Sequence, residues 1–568
     1  MNRQRVMQID SLTTALDSRT VEAEARRKGS SRASMATLRA GTPIRQVALV
    51  VDPSCSRLAH SELARRLAEQ AGIRVTVIRG RSQQPLPRSA DLLLELERVT
   101  QRVAGSRLTD RIDFRRLTPA DVRPQDPPEL VIDLCGDQAA TPRRRTVRVL
   151  YDGASGETSL MAALLAGRMP TIEIEEAGTG AILASGIPCA DNAGTILEAF
   201  ECVLARVVTL LLSVTRNPTP LAAAGRAAHS VRMRSLVAFE AKAVAHAIIR
   251  RLYALCFHTP HWRTCWRFVN GPDLWQTRTL DGTAWSILPD PGFRFYADPF
   301  PFVHRAQTYV FVEDWDHRRN KAVISVVPFD ATGPSGPAEP VLEEPWHLSY
   351  PFMLAHGGQI WMIPESSANR SITLYRGDPF PTRWVPEAVL VTDIEASDAT
   401  VAYRNGYFWM FAATRDGRGS WSDTLSIFYA RDLRGPWQAH QGNPILVDQA
   451  SARPAGAVVE RDGSLWRPVQ NCSEGYGTGI GLAEITRLDH DGFEQKVHAV
   501  LRPCPDWPGR RLHTLNRAGR LECIDGAAYS PRSRRLARRL QTWSGRREIP
   551  GDWSFAREPA VERSEPNG

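Results

Sequence analysis

A strand motif followed by a second, aromatic strand recurs five times between Tyr296 and Gly526, and this repeat constrains the fold more than any other feature. The copies start at positions 298, 350, 398, 453 and 513, so they are 52, 48, 55 and 60 residues apart. A period of about 50 residues built from β-strands is typical of a β-propeller with one blade per repeat. The sequence therefore predicts a five-bladed propeller. A β-sandwich with accidental periodicity is the alternative, but it does not explain polar residues at matching positions.

The two strands of each copy have the composition of a half-buried sheet. The copies read YADPFPF with YVFVE, SYPFML with IWMIPE, SDATVAY with YFWMFAAT, RPAGAVV with LWRPVQN, and HTLN with LECID. Tyr, Phe, Trp and Val suit pleated, half-buried positions, and Gly-containing turns lie between the two strands. Residues 266–276 (WRFVNGPDLWQ) precede the first copy. We expect them to supply a strand that closes the ring with the last blade.

The first strand of each blade lines the axis of a propeller, so polar residues that begin these strands are expected to meet in one funnel. These residues are Asp298, Tyr350, Asp398, Arg453 and His513. Glu313 and Glu365 lie at equivalent ends of the second strands in the first two copies. The spacing thus predicts a cluster of acids with one Arg and one His at the centre of the ring.

Glycoside chemistry requires one carboxylate as base or nucleophile and one carboxylic acid that protonates the leaving oxygen. Neighbouring acids push their pKa values apart, which supplies the protonated partner. The predicted catalytic residues are Asp298, Asp398, Glu365 and Glu313. Any one of these acids alone could be a structural turn former, as Asp before Pro often is, but recurrence at one repeat position favours function for Asp298 and Asp398.

The predicted substrate-binding residues are Tyr350, Arg453, His513, Trp315 and Trp361. Arg453 offers a bidentate site for a carboxylate or phosphate, and the two Trp side chains offer flat faces to sugar rings, although Trp is more often a core residue. His317 and His347 lack metal-ligand spacing, so no metal and no other cofactor is predicted.

The propeller motifs ADPFPF with FVE, SYPF with PES, SDAT, RPAG and HTLN resemble the N-terminal domain of the plant glucosamine inositolphosphorylceramide transferases. More distantly the region is similar to the five-bladed propellers of the family 43 and family 32 glycoside hydrolases. This resemblance implies that Asp298 matches the base or nucleophile of the hydrolases and that Asp398 matches their supporting Asp. Their acid is usually a Glu on a later blade, where this sequence has Arg453, and Glu365 lies on the second blade instead.

At 568 residues the chain is long enough for more than one domain. Its formal net charge of +9 belongs to its ends. Residues 1–45 carry nine basic and four acidic residues, and residues 531–547 carry seven Arg and no acid. We expect disordered basic tails at 1–44 and 531–568, either solvated or in contact with a membrane surface. No nucleic acid is expected as a partner.

The cysteines and the N-terminus indicate a cytoplasmic protein, and the family resemblance implies a bacterial one. Nine Cys without a CxxC pair predict reduced thiols and no disulfide framework. The first residues contain no apolar segment of a signal peptide. The longest apolar run, Val203–Val214, is interrupted by Arg206. It is too short to cross a bilayer.

Residues 45–216 predict an α/β domain of the parallel, Rossmann type, because apolar strands alternate with helices. Strands are predicted at 46–53, 73–80, 129–137, 147–153 and 170–178, and helices at 60–72, 159–167 and up to Val214. The strand ELVIDLCGD and the segment GAILASGIPCADNAGTILEAF resemble the N-terminal domain of folate-dependent formyltransferases. That family's Asn-x-His pair is absent, since Tyr151, Asp152 and Gly153 follow the fourth strand. Asp137 and Asp152 are either ligand-binding residues or ordinary loop acids of a domain without chemistry.

Residues 217–260 predict a linker and an amphipathic helix over Val231–Phe257. Its apolar stripe contains Val237, Ala241, Val244, Ile248, Leu252 and Leu255. The helix either lies on a membrane surface or, as the better interpretation, docks onto one of the two domains.

Three hypotheses for function follow. The first is a carbohydrate-active enzyme that hydrolyses or transfers a glycosidic bond in the funnel, with a carbohydrate or glycolipid as substrate. The second is a glycan- or glycolipid-binding module that acts with a separate glycosyltransferase. The third is formyl or acyl transfer to an amino sugar by the N-terminal domain, which would need a His in its cleft.

Overall fold

The computed structural model describes residues 44–70, 72–82, 85–100, 105–117, 127–136, 144–191, 193–216, 249, 251–503, 507, 510–527 and 530–533. Apart from residues 44 and 531–533, the predicted tails lie outside these residues, and so does most of the predicted helix at 231–257. Residues 251–256 are helical, and Leu252 and Leu255 are 58% and 74% exposed. Nothing in the described part of the chain therefore covers this end of the predicted apolar stripe.

The N-terminal domain is a mixed sheet with helices. Its strands are β1 (Gln46–Val51), β2 (Arg74–Arg79), β3 (Leu130–Asp133), β4 (Arg145–Tyr151), β5 (Ala154–Ser155), β6 (Ile172–Glu176) and β7 (Ile182–Gly186). Its helices are α1 (Leu58–Ala68), α2 (Arg88–Thr100), α3 (Glu157–Leu165) and α4 (Ile196–Arg216), with 3₁₀ turns at Pro53–Cys55 and Phe114–Arg116.

The sheet has the order β2-β1-β3-β4-β6-β7, with β5 paired to β4. Strands β1 to β4 are parallel, as predicted, but β6 and β7 are antiparallel. The prediction of an all-parallel sheet is therefore wrong at this edge. Only five residues join β6 to β7, and a connection this short makes a hairpin, because a parallel crossover needs a dozen or more. The segment that resembles a formyltransferase substrate loop is in part this edge strand.

Helix α4 is buried along most of its length because it lies between the sheet and the propeller. Its apolar side chains pack on the sheet, and Arg206 in the middle of the helix is fully buried. Over the described residues, no helix combines the length and the apolar character needed to cross a membrane.

The chain enters the propeller through β8 (Phe257–His258), β9 (Trp262–Phe268), the short helix α5 (Leu274–Thr277) and β10 (Ser286–Ile287). Blade one contains β11 (Arg294–His304), β12 (Gln307–Asp316), β13 (Lys321–Phe329) and β14 (Glu339–Leu342). Blade two contains β15 (Ser349–His356), β16 (Gln359–Glu365), β17 (Ser371–Gly377) and β18 (Trp384–Thr392), with a 3₁₀ turn at Ser367–Asn369.

Blade three contains β19 (Ala396–Arg404), β20 (Tyr407–Thr414), β21 (Thr424–Ala430), β22 (Gln438–Ala439) and β23 (Leu446–Val447). Blade four contains β24 (Val459–Arg461), β25 (Ser464–Asn471), β26 (Gly479–Leu488) and β27 (Phe493–Leu501). Blade five contains β28 (Leu512–Ala518) and β29 (Leu521–Ala527) together with β9 and β10. The final strand β30 (Ser530–Pro531) pairs with β8.

The ring closes as predicted, because β9 from the entry segment pairs with β29 of the last blade over Trp262–Phe268. Apolar side chains fill the spaces between neighbouring blades. Val312 of blade one packs in the same cluster as Cys523 of blade five. Leu482 of blade four likewise shares a cluster with Leu515 of blade five. This closure removes exposed sheet edges at the ends of the repeat array.

The fourth blade departs from the predicted pattern. Its first strand, β24, is short and begins at Val459, whereas the sequence places it from Arg453. The preceding segment makes only a single bridge, between Pro454 and Val469. Pro454 carries no N–H and so cannot donate to a regular ladder. Arg453 consequently lies in a connecting segment at the funnel.

A buried arginine joins the two domains. The guanidinium of Arg206 donates to the Asp423 carboxylate (Nη2–Oδ1 2.7 Å) and to the carbonyl oxygens of Asp416 and Ser420 at 2.9 and 2.8 Å. All three acceptors belong to the segment between β20 and β21 of blade three. A Cβ atom at Gly419 would lie 2.3 Å from this guanidinium, so only glycine permits the approach.

Replacing Arg206 by Leu leaves Asp423 buried without its charge partner, which we expect to lower the free energy of unfolding by about 3–5 kcal/mol. Guanidinium denaturation followed by circular dichroism measures the change. The matched control is Arg65→Leu, because Arg65 is 55% exposed in its ion pairs with Glu62 and Glu69. Exposed pairs contribute about 0–1 kcal/mol. Equal effects of the two substitutions would contradict a structural role for the buried pair.

Candidate active site

The first strands of four blades bend at the same point, which directs side chains into the funnel. The register with the second strand breaks after Ala297, Ser349, Ser397 and Leu512. The next residue has a positive φ in three of these blades, namely 48° at Asp298, 44° at Tyr350 and 56° at Asp398. A non-glycine residue held there costs about 1–3 kcal/mol, and such residues concentrate at functional sites. The repeat position chosen from the sequence is therefore a β-bulge.

Asp298 and His513 meet across the junction of the first and last blades. His513 Nε2 lies 3.2 Å from Asp298 Oδ1, and His513 Nδ1 lies 2.7 Å from Asp525 Oδ2. The Thr514 hydroxyl also donates to Asp298 Oδ1, and the Tyr350 N–H donates to Asp298 Oδ2 at 3.2 Å. The predicted meeting of Asp298 with His513 is thus observed.

Asp525 is a central residue of the site that the sequence reasoning missed. Its carboxylate accepts the backbone N–H groups of Asp298, His513 and Thr514 at 2.9, 3.2 and 2.8 Å. It lies opposite the bulge of blade five. The next residue in the chain occupies the position that Glu313 occupies in blade one. The available signal was the acid that ends the strand LECID, whose other acid, Glu522, pairs with Arg267.

Asp398 is held by an arginine and an amide. Arg453 Nε donates to Asp398 Oδ2 at 2.6 Å, and Gln470 Nε2 donates to the same oxygen at 3.1 Å. The guanidinium of Arg453 lies 5.0 Å from the ring centre of Tyr476, and its Nη2 is 4.0 Å from Glu365 Oε2. Arg453 therefore lies close to three other side chains of the funnel. Gln470 and Tyr476 were not predicted.

Glu313 and Glu365 occupy equivalent positions, as predicted, opposite the residue that precedes each bulge. Their side chains are 10% and 11% exposed, so both retain some contact with solvent. His347 Nε2 lies 3.6 Å from Glu313 Oε1, and its side chain is more open, at 34% exposed. His347 therefore marks the solvent side of the acid cluster.

The acids of the funnel perturb one another. Burial raises the pKa of Asp398 to about 7 despite its ion pair with Arg453, and Glu365 raises it further. Burial also raises the pKa of Asp298 to about 6, with His513 opposing the shift. For Glu313, burial and the charge of Asp298 raise the pKa well above its ordinary value. Its environment therefore favours the protonated form of Glu313.

His513 carries a charge in this environment. Burial lowers its pKa, but the carboxylates of Asp525 and Asp298 outweigh burial and raise the pKa to about 9. The imidazolium offsets part of the negative charge of five converging acids, and Arg453 offsets another part. Burial lowers the pKa of His347, so this ring is neutral near pH 7.

Two predicted substrate-binding residues are not placed to contact a ligand. Trp361 is 1% exposed, and its indole N–H donates to the His356 carbonyl, so the ring belongs to the core between blades. Tyr350 is fully buried. Its hydroxyl lies 2.8 Å from the Thr400 hydroxyl and accepts the Gly456 N–H, so it links blades.

Trp315 lies on the same face of β12 as Glu313, two residues further along the strand. Its ring is partly exposed, stacks on Phe295 at 6.0 Å and meets the edge of His347 at 5.2 Å. Trp262, which was not predicted, packs against His513 with ring centres 4.1 Å apart. Aromatic side chains therefore line one side of the acid cluster.

Three side chains of the funnel could hold a metal ion. Asp298, His513 and Asp525 each offer a ligand atom within 4.8 Å of the others. Carboxylate and imidazole ligands suit a divalent cation. In the structure the same atoms pair with one another and with backbone N–H groups, as described above. The sequence predicted no metal because these residues are far apart in the chain.

The N-terminal domain contains a small cavity of about 40 Å³ at the ends of β3 and β4. His60 from α1 lines it together with Tyr151 and Glu157, so a histidine does lie in the cleft, although not on the loop where the family places one. The volume is far below the roughly 300 Å³ of an ordinary ligand pocket. Asp152 accepts hydrogen bonds from Arg168 and from the Thr171 N–H, at 2.6 and 2.9 Å, which fits a loop acid. Asp137 lies outside the described residues.

Residues 288–523 match the family “Glucosamine inositolphosphorylceramide transferase 1, N-terminal”. The resemblance seen in the propeller motifs is thereby confirmed. The resemblance of the N-terminal domain to formyltransferases stays a prediction.

Relatives named “Glucosamine inositolphosphorylceramide transferase 1” come from plants. The protein of Oryza sativa subsp. japonica is 32% identical over 232 residues, which are 39% of this chain and 31% of the relative. The protein of Arabidopsis thaliana is 31% identical over 262 residues, which are 44% of this chain and 34% of the relative. The chain thus spans about a third of the length of these relatives.

Similar solved structures include two family 43 glycoside hydrolases. A thermostable enzyme is 14% identical with a TM-score of 0.29, covering 37% of this chain and 77% of its own. An enzyme from Xanthomonas citri is 13% identical with a TM-score of 0.31, covering 41% of this chain and 87% of its own.

The charge on His513 predicts a pH dependence of stability. Its pKa is about 9 in the folded protein and about 6.5 in an unfolded chain, so the stabilisation is complete below pH 6.5 and is lost as the pH rises to 9. In His513→Gln, the free energy of unfolding should no longer fall by this contribution between pH 6.5 and 9. Urea titrations at several pH values measure it. The same substitution at exposed His490 should leave the slope unchanged, and an unaltered slope in His513→Gln would contradict the assignment.

Proposed function

We propose that the funnel of the propeller binds a carbohydrate and breaks or transfers one of its glycosidic bonds. The observation that carries this proposal is the convergence of Asp298, Glu313, Glu365 and Asp398, whose charges act on one another's pKa values. Glycoside chemistry needs a protonated carboxyl group and an ionised one around the same bond. Environments that push the pKa values of neighbouring acids apart supply that pair.

In this proposal Glu313 is the general acid and Asp298 the base or nucleophile. Burial and the charge of Asp298 raise the pKa of Glu313 well above its ordinary value, and its side chain is 10% exposed at the funnel surface. Among the described residues, the Tyr350 N–H is the one donor to Asp298 Oδ2, so this oxygen keeps a lone pair for the reaction. The imidazolium of His513 favours the ionised form of Asp298. Asp398, paired with Arg453, sets the charge beside Glu365.

Glu313 gives its proton to the glycosidic oxygen as the bond to the anomeric carbon breaks, and the leaving sugar or lipid departs as an alcohol. Asp298 takes a proton from the attacking water or acceptor hydroxyl, whose oxygen bonds to the anomeric carbon, or it attacks that carbon directly and is displaced later. Water as the acceptor gives hydrolysis, and an alcohol gives transfer.

Glycosides of amino sugars are the first substrates to test. The plant relatives carry glucosamine in their name. The funnel collects five acids, namely Asp298, Glu313, Glu365, Asp398 and Asp525, against two cationic side chains. Such a site favours a substrate with a protonated amine. Trp315 supplies an aromatic face for the sugar ring.

A glycan-binding module that acts with a separate glycosyltransferase is the second candidate. The burial of the acids favours it, because Asp298 is 4% exposed and both of its oxygens accept contacts. The match also covers about a third of each relative, so a transferring domain elsewhere in those proteins is compatible with a binding role here. The two candidates differ in whether bound glycan is converted to product.

Asp298→Asn is expected to abolish turnover of an amino-sugar glycoside, by roughly three orders of magnitude or more, because the amide cannot accept the proton. Product release from a panel of aryl amino-sugar glycosides, analysed by mass spectrometry, measures it. Asp314→Asn is the matched control, since Asp314 is a buried acid on the same blade that pairs with Arg294 on the opposite face of β12. Turnover unchanged in Asp298→Asn removes this residue from the mechanism. Glycan binding without turnover in the unaltered protein favours the binding module.

The role of Glu313 can be separated from that of Asp298 by the leaving group. Glu313→Gln should lose activity on glycosides with poor leaving groups by about 100-fold or more, yet retain most of it on dinitrophenyl glycosides, which need no protonation. The measurement is kcat/KM across a series of aryl leaving groups. Equal losses across the series would contradict general-acid catalysis by Glu313. Glu365 would then be the next candidate for the general acid.

A further inference from the structure

We propose that Asp191, in the N-terminal domain, is a positioning residue for Arg453 in the funnel and acts through Ser422. The proposal rests on the funnel being the binding site proposed above. It assigns the N-terminal domain a part in that site and does not require chemistry in the domain's own cleft.

Asp191 accepts hydrogen bonds from two hydroxyl groups of the propeller. Ser420 Oγ donates to Asp191 Oδ1 at 2.9 Å, and Ser422 Oγ donates to Asp191 Oδ2 at 2.6 Å. Both serines belong to the segment that joins β20 to β21 in blade three, and both are buried. The contact therefore crosses from one domain to the other at a place sheltered from water.

Ser422 also touches the funnel. Arg453 Nη1 donates to Ser422 Oγ at 3.5 Å. A serine hydroxyl has one proton, and here it is given to Asp191. The lone pairs of Ser422 therefore face Arg453, which can only donate. Without Asp191 the hydroxyl is free to rotate, and its proton can turn toward the arginine.

The orientation of Arg453 matters because its other nitrogens serve the acid cluster. Nε binds Asp398 at 2.6 Å, and Nη2 lies 4.0 Å from Glu365. The nitrogens of a guanidinium are fixed in one plane. A movement of Nη1 therefore also changes the distances from Nε to Asp398 and from Nη2 to Glu365. Asp191 thus influences the charge on Asp398 without touching it.

The N-terminal domain holds the serine-bearing segment at further points. Asp416, at the start of this segment, accepts from Arg66 and from the Thr209 hydroxyl, both at 2.6 Å. At its end, Asp423 accepts the Cys189 N–H at 2.8 Å and pairs with Arg206. Outside this segment, Ile187 bridges to Asp448 after β23 of the same blade, and the Gln449 N–H donates to the Ile187 carbonyl at 2.9 Å. Asp191 is therefore supported by a rigid interface.

The test measures the reactivity of Arg453 toward phenylglyoxal in the full chain, with the modified peptide quantified by mass spectrometry. Asp191→Ala and Ser422→Ala should each raise the modification rate of Arg453 roughly threefold, because Ser422→Ala removes a modest hydrogen bond to Arg453 and Asp191→Ala releases the hydroxyl that accepts it. The double variant should react no faster than Ser422→Ala, since the coupling passes through that hydroxyl. Asp191→Asn, which keeps an acceptor oxygen, should retain most of the protection.

Ser420→Ala is the matched control, because Ser420 donates to Asp191 and accepts the Ser422 N–H at 3.0 Å but forms no hydrogen bond with Arg453. In Ser420→Ala, Arg453 should be modified at the same rate as in the unaltered protein. Equal rates in Ser420→Ala and Ser422→Ala would overturn the proposal, and so would a rise shared by Arg415 and Arg418, which reports loosening of the whole segment. The assay uses no carbohydrate, so its outcome stands whether or not the funnel cleaves glycosides.

Discussion

The carboxylate of Asp525 is the interaction on which the site depends. It binds the backbone N–H groups at the bulges of blade one and blade five and lies 2.7 Å from the ring of His513. These contacts join the first and last blades at the funnel, while β9 joins them at the outer side of the fifth blade. The same carboxylate therefore fixes the backbone that presents Asp298 and supplies the charge that keeps His513 protonated. One carboxylate thus contributes both to the closure of the ring and to the charge balance of the funnel.

The two domains are joined by polar contacts buried in an apolar interface. Buried ions need partners to offset their desolvation, and Arg206 finds them in the propeller. An arginine in the middle of an apolar helix looks like an interruption in the sequence. In the structure it specifies how the N-terminal domain sits against blade three, and Asp191 extends the same interface to within one side chain of Arg453.

The sequence was most informative where one repeat corresponds to one blade. The polar residues at 298, 350 and 398 were found because the bulge recurs with the blade. Asp525 was missed because it lies opposite a bulge, at a position that is apolar or Pro in blades one to three. Trp361 was misassigned because strand faces alternate, so a ring on a funnel-bearing strand can still point between blades. The partners of Arg206 lie more than 200 residues away, and no local pattern reveals them.

The central claim is that a sugar binds among the funnel acids with its glycosidic bond between Asp298 and Glu313. A crystal structure of the full chain with a non-hydrolysable thioglycoside of an amino sugar tests this most directly. The account predicts the anomeric carbon about 3–3.5 Å from an Asp298 oxygen, with the sulfur facing Glu313 and the ring against Trp315. A ligand bound elsewhere on the propeller, or an empty funnel at saturating ligand, would contradict it.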